Sequence, residues 1–176
     1  MLRAVIVILS LALAAPAYAI ESIGGFSFRS IDGGTIDSAD WQGSPVLVAN
    51  TASLCAYTPQ YDGLQALYDT YRARGLLVLA VPSDDFAQEL GDEAAVKEFC
   101  AVNFDLDLPM TEITPVRGRE AHPFYAWLRE TEGFVPNWNF NKVLIGPDGT
   151  VIDTYGSGVD PMSPRIRTRI EALLSQ

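Results

Sequence analysis

An α/β fold with a central mixed sheet, helices on both faces and an N-terminal β-hairpin is predicted by three features of this chain. Two continuous apolar runs, 45–49 and 76–81, have the length and composition of strands covered on both faces. A helical pattern at 59–73 lies between them, giving a β-α-β unit whose strands run parallel. Two further strand-like runs flank Pro147-Asp148-Gly149 near the C-terminus, so the sheet ends in an antiparallel pair.

Taken in order, Met1-Leu2-Arg3, the apolar run 4–13 and Ala17-Tyr18-Ala19 mark residues 1–19 as a cleavable signal peptide. The apolar core falls short of the ~20 residues that span a bilayer. No cysteine beside the cleavage site offers a lipid anchor. Cleavage is expected after Ala19, with export to the periplasm or the medium, no stable membrane insertion, and one domain over residues 20–176. Residues 26–30 and 35–36 flank Asp32-Gly33-Gly34, a hairpin signal because glycine supplies positive φ. In the 59–73 helix Tyr61, Leu64, Leu67, Tyr68 and Tyr71 share one face, and Gly75 follows as a C-cap. After the second core strand come Pro82-Ser83-Asp84-Asp85 and a helix at 93–99 that carries Cys100 at its end. A short helix is predicted at 121–128, strands at 142–146 and 151–155, and an amphipathic helix at 166–174. A hairpin, then βαβα, then ββα fits a thioredoxin-like sandwich. Open α/β sheets place their sites at the carboxyl edge of the strands.

That edge is where Cys55 falls, between the first core strand and the following helix. Helix N-termini favour a thiolate, the nucleophilic form of cysteine. With no Cys-x-x-Cys, ordinary thioredoxin or disulfide isomerase chemistry is disfavoured. A lone thiolate suits attack on a weak O–O bond, leaving a sulfenic acid that a thiol must regenerate. The net charge of −10, one unit more acidic once Arg3 leaves with the leader, disfavours nucleic acid and anionic lipid as partners.

Two separated blocks sharpen this reading. Asn50-Thr51-Ala52-Ser53-Leu54-Cys55, with Thr58-Pro59-Gln60-Tyr61, and Trp138-Asn139-Phe140-Asn141-Lys142 together resemble the glutathione peroxidases in their small, cysteine-containing form. The resemblance covers nearly all of residues 20–176. It implies a peroxidatic Cys55 assisted by Trp138 and Asn139, whose N–H groups can stabilise a thiolate and a departing oxyanion. The family's glutamine is the point of departure: where the family reads Pro-Cys-Asn-Gln-Phe, this chain has Pro82-Ser83-Asp84-Asp85-Phe86. Asp85 aligns with the glutamine, yet a carboxylate there would oppose a thiolate. Asp85 protonated or turned away, Gln88 reaching in from the loop, or backbone N–H groups alone are the three alternatives, with Gln88 slightly favoured.

Cys100 falls where thioredoxin-dependent members carry a resolving cysteine, which implies a Cys55–Cys100 disulfide in the cycle. His122, the one histidine, reads as a helix-start residue, and nothing in the cysteine or histidine spacing suggests a metal. The acids Asp84, Asp85, Glu89, Asp92 and Glu93 read as a solvated loop. No cofactor is expected. The substrates implied are hydrogen peroxide and organic or lipid hydroperoxides, and the reductant is a thioredoxin-like protein in preference to glutathione. Tetrameric members of the family carry a longer loop than the short segment between Leu128 and Trp138, so the resemblance implies a monomer with an open site. A thiol–disulfide exchange or binding protein on the same scaffold, or an exported domain stapled by Cys55–Cys100, are the competing readings.

Overall fold

The computed structural model describes residues 25–175, and the predicted leader lies outside them. The N-terminal hairpin pairs β1 (Ser27–Arg29) antiparallel with β2 (Thr35–Asp37) through a turn in which Gly33 and Gly34 take φ of 91° and 76°. A 3₁₀ turn, Ser38–Trp41, follows, and Trp41 packs near Phe28. β3 (Val46–Thr51), α1 (Gln60–Tyr71) and β4 (Leu77–Pro82) form the parallel unit, with Val46 opposite Leu77 and Thr51 opposite Pro82. α2 (Glu93–Phe104), α3 (Pro123–Glu132), β5 (Lys142–Ile145), β6 (Val151–Tyr155) and α4 (Pro164–Leu173) complete the chain. The four-stranded sheet has the order β4-β3-β5-β6, and β5 is antiparallel to both neighbours.

β3 is buried along its whole length, which is why it reads as an unbroken apolar run. Its alternate residues serve two different layers. Leu47 and Ala49 join Leu64 and Leu67 of α1, Val96 of α2 and Ile166 and Ile170 of α4. Val46 and Val48 join Phe28, Trp41 and the α3 residues Phe124 and Leu128. Each fully buried Leu or Phe contributes roughly 1.5–3 kcal/mol. Helices therefore cover both faces, as the sequence predicts.

The helix bounds differ from the sequence reading most at α2 and at α3, which runs Pro123–Glu132 rather than 121–128, while His122 stands at the helix start as expected. The helix expected at 93–99 continues to Phe104, so Cys100 sits in its interior rather than at its end. Asp92 caps its start by accepting from Ala95 N, and Asp105 closes it at a φ of 50°. Val102, exposed at 75%, breaks the apolar periodicity that would have marked the extension. At α3, His122 is the N-cap itself: Nδ1 accepts from Phe124 N, and Nε2 donates to Ser27 O at 3.0 Å. The imidazole stacks on Phe28, and burial lowers its pKa, which keeps Nδ1 available as an acceptor.

Topology brings three segments to one edge. β3 and β4 both end there, running into 52–59 and 83–92. β5, antiparallel to β3 with Lys142 opposite Ala49, begins there, preceded by 138–141.

Candidate active site

Cys55 lies in a turn between β3 and α1 and is 7% exposed. The helix begins only at Gln60, so the helix N-terminus is not the group that addresses the sulfur. The donor that does is the Tyr57 backbone N–H, 3.4 Å from Sγ. Thr58 builds this turn: its hydroxyl accepts from Cys55 N at 3.0 Å and donates to Ala52 O at 2.9 Å, while Thr58 N donates to Cys55 O. Thr58 stands three residues after Cys55, the spacing of a local hydroxyl-to-backbone turn, and that was the available signal for its role.

The neighbouring N–H groups are taken by the 83–92 loop. Ser53 N donates to Glu89 Oε1 at 3.0 Å, and Leu54 N donates to Gln88 O at 2.9 Å. The reading of this acidic run as a solvated loop is corrected here for Asp84, Asp85 and Glu89, which fasten the loop. Glu89 is buried and also accepts from Leu90 N; burial raises its pKa, with Ser53 and Leu90 opposing. Asp84 Oδ1 accepts from Glu89 N, and Asp84 O accepts from Ala87 N. Asp85 is occupied on the 116–117 backbone, accepting from Val116 N at 2.6 Å and Arg117 N at 3.0 Å.

Gln88 lies at the same edge of the sheet as the Cys55 turn. Its Oε1 accepts from Asn139 Nδ2 at 3.2 Å, joining the loop to the Trp138-Asn139 segment. With its oxygen used this way, the group Gln88 can offer a sulfur or an oxyanion is its NH₂. Two non-glycine residues in the left-handed region flank this pair: Ala87 at φ 54° and Phe140 at φ 61°. Such a conformation costs about 1–2 kcal/mol per residue and aims the adjoining side chains. Trp138 is 39% exposed, with its ring 5.3 Å from Phe86, while Asn139 is fully buried.

Sequence reasoning missed the group that holds these segments together. Lys142 is fully buried, and its ammonium donates to Gln60 Oε1, Phe140 O at 2.8 Å and Val159 O at 2.7 Å. Burial pushes its pKa down to about 8, with Asp160 opposing. Ser157 adds a second tie, donating to Asn139 O and accepting from Asn141 Nδ2. A lysine opening the otherwise apolar 142–146 run was the signal.

A buried cysteine, a glutamine and an asparagine bonded to each other, and an exposed tryptophan thus converge at the carboxyl edge of the sheet. Compared with known proteins, residues 23–129 match the family model described as "Glutathione peroxidase". The chain belongs to the glutathione peroxidase family. A glutathione peroxidase of Lactococcus lactis subsp. cremoris is 40% identical over 141 residues, 77% of this chain and 90% of that one. A hydroperoxy fatty acid reductase of Synechocystis is 37% identical over 169 residues, 90% of this chain and 99% of that one. The solved apo structure of Trgpx superposes with a TM-score of 0.69 at 29% identity, covering 88% of this chain and 97% of that one. Membership in this glutathione peroxidase family makes the protein a thiol peroxidase on a thioredoxin-like fold.

Against that background Cys100 is placed for storage rather than for immediate contact with solvent. It is 2% exposed, and both cysteines are free thiols in the same core layer. Burial pushes the Cys100 thiol up to about 11, with the Tyr61 hydroxyl opposing and the Glu89 charge adding to the rise. At pH 8 iodoacetamide is expected to alkylate Cys100 in the native protein at least about 100-fold more slowly than in urea, as thiolate is what reacts. The native rate should rise about tenfold per pH unit up to the cited value. Equal rates in the native and unfolded protein, read by peptide mass, would contradict the buried placement.

Proposed function

We propose that this glutathione peroxidase family member is an exported enzyme whose cycle runs on Cys55, with Gln88, Asn139 and Trp138 as the donors around its sulfur. The thiolate attacks the terminal oxygen of a hydroperoxide, the S–O bond forms as the O–O bond breaks, and the alkoxide leaves as alcohol after taking a proton. Cys55 becomes a sulfenic acid. A thiol then attacks its sulfur, water leaves, and a disulfide forms. Cys100 supplies that thiol, and a dithiol donor returns both cysteines to the reduced state. The observation that supports this reading is the Gln88–Asn139 bond, on a loop whose Gln88 carbonyl also accepts from Leu54 N, while Asp85 stands at the expected glutamine position. With its carboxylate on the 116–117 backbone, Asp85 serves as an anchor of the loop.

The substrates are hydrogen peroxide and organic hydroperoxides, including the lipid kind named for the Synechocystis relative. The reductant is a thioredoxin-fold protein in preference to glutathione, because an acidic surface does little for an anionic tripeptide. The enzyme acts as a monomer in the periplasm or the medium after cleavage following Ala19. Steady-state peroxide consumption at matched thiol concentration tests the reading: turnover is expected with a thioredoxin-fold donor and several-fold less with glutathione. Stoichiometric consumption without turnover under either donor would instead favour a thiol–disulfide exchange or binding protein on the same scaffold.

A further inference from the structure

A buried tyrosine links the two cysteines. Tyr61, the second residue of α1, is fully buried, and its hydroxyl faces both the Thr51 hydroxyl and the Cys100 thiol. Neither the Tyr61 nor the Thr51 oxygen closes a hydrogen bond among the described residues. A buried hydroxyl left open is costly, so it marks a group wanted in another state of the molecule. The backbone ties Tyr61 to the nucleophile: Tyr61 N donates to Thr58 O, and Thr58 N donates to Cys55 O, each at 3.0 Å. Its ring lies 5.3 Å from Phe140, next to Asn139, and 5.3 Å from Phe104, the last residue of α2.

Among the described residues that act on the Cys100 thiol, this hydroxyl alone favours the thiolate. Burial and the Glu89 carboxylate both oppose it. Elsewhere Cys100 borders a small cavity with Asp32, Lys97 and Asp107, but Lys97 pairs with Asp32 and Asp107 pairs with Arg72. A donated O–H stabilises a thiolate far more than a thiol, because the bond then ends on a charge.

We propose that Tyr61 is a catalytic residue of the resolving step, donating its O–H to the Cys100 sulfur as that thiol becomes a thiolate and attacks Cys55. The Cys100 S–H bond breaks, and the S–S bond forms as the S–O bond of the Cys55 sulfenic acid breaks. The departing hydroxide takes the Cys100 proton and leaves as water. Because α1 carries the donor, opening the last turn of α2 leaves it beside the Cys55 turn. This rests on the reading of Cys100 as the resolving thiol and names the group that activates it.

Tyr61→Phe removes one oxygen and keeps the ring. After one equivalent of hydrogen peroxide, disulfide formation is timed by acid quench and intact mass, and Cys55 oxidation by dimedone capture. The ratio of the disulfide-forming rate to the oxidation rate should fall about tenfold in Tyr61→Phe, the scale of one hydrogen bond to a charged group. The disulfide-forming rate should rise with pH in both proteins, and the Tyr61→Phe profile should lie about one pH unit higher. Phe104→Leu loosens the same helix turn but keeps the hydroxyl, so it should alter the rate without displacing the profile. A Tyr61→Phe ratio equal to wild type, or an equal displacement in Phe104→Leu, would overturn the role of Tyr61 and leave Cys100 as the resolving thiol. A wild-type protein that halts at the sulfenic acid would overturn the resolving role of Cys100 and that of Tyr61 with it.

Discussion

Cys55→Ser is expected to lower kcat/KM for hydrogen peroxide by at least about 10³-fold while leaving the fold in place, since removing the nucleophile from a catalytic set costs on this order or more. A serine hydroxyl is not ionised at neutral pH and cannot form a sulfenic acid, so neither half of the cycle survives. The fold should tolerate the change, because Ser Oγ can accept the Tyr57 N–H that addresses Sγ. Cys100→Ser separates the two steps. Its first oxidation should run within about twofold of wild type, and the product should be a sulfenic acid that dimedone traps, gaining one oxygen by intact mass. Wild type should end two hydrogen atoms lighter, as a disulfide. Should Cys55→Ser consume peroxide at the wild-type rate, the chemistry does not reside at this edge of the sheet.

Lys142→Met has the second largest expected effect, and it acts on stability and activity together. The side chain is replaced at similar volume, but Gln60, Phe140 and Val159 lose the donor that all three share. A buried acceptor left without a partner costs roughly 1–3 kcal/mol, and some of the three will find water. The net loss is expected to be about 3 kcal/mol, a fall in Tm of about 6–12 °C for a chain of this size. Activity should fall by about tenfold even well below Tm, because Lys142 fixes the carbonyl directly after Asn139 and the first residue of α1. A variant that loses stability in calorimetry yet keeps full kcat/KM at 15 °C would show the lysine to be purely architectural.

The strands and the Cys55 turn are legible in the sequence because their signals are local. β3 and β4 are short, apolar and bounded, and the 59–73 stripe has one period throughout. What joins the site is not local. Gln88 reaches Asn139 only because Ala87 turns left-handed and because Glu89 fastens to Ser53, 36 residues earlier in the chain. Composition cannot distinguish such a buried acid from the exposed Glu93 four residues later. Position along the sequence alone likewise matched Asp85 to a glutamine, whereas its carboxylate is occupied by the 116–117 backbone. Lys142 was hidden for the opposite reason: it lies inside a matched block whose other members drew the chemical interpretation.

The interior position of Cys100 in α2 sets a clock on the proposed cycle. Peroxide attack at Cys55 needs only local access, but disulfide formation must wait until roughly a turn of a capped, packed helix has come apart. During that wait the sulfenic acid is exposed to a second peroxide, which would carry it to the irreversible sulfinic acid. The lifetime of α2 therefore fixes a ceiling on dose. Scarce peroxide is cleared repeatedly by the same molecule, whereas a surge retires the enzyme one molecule at a time.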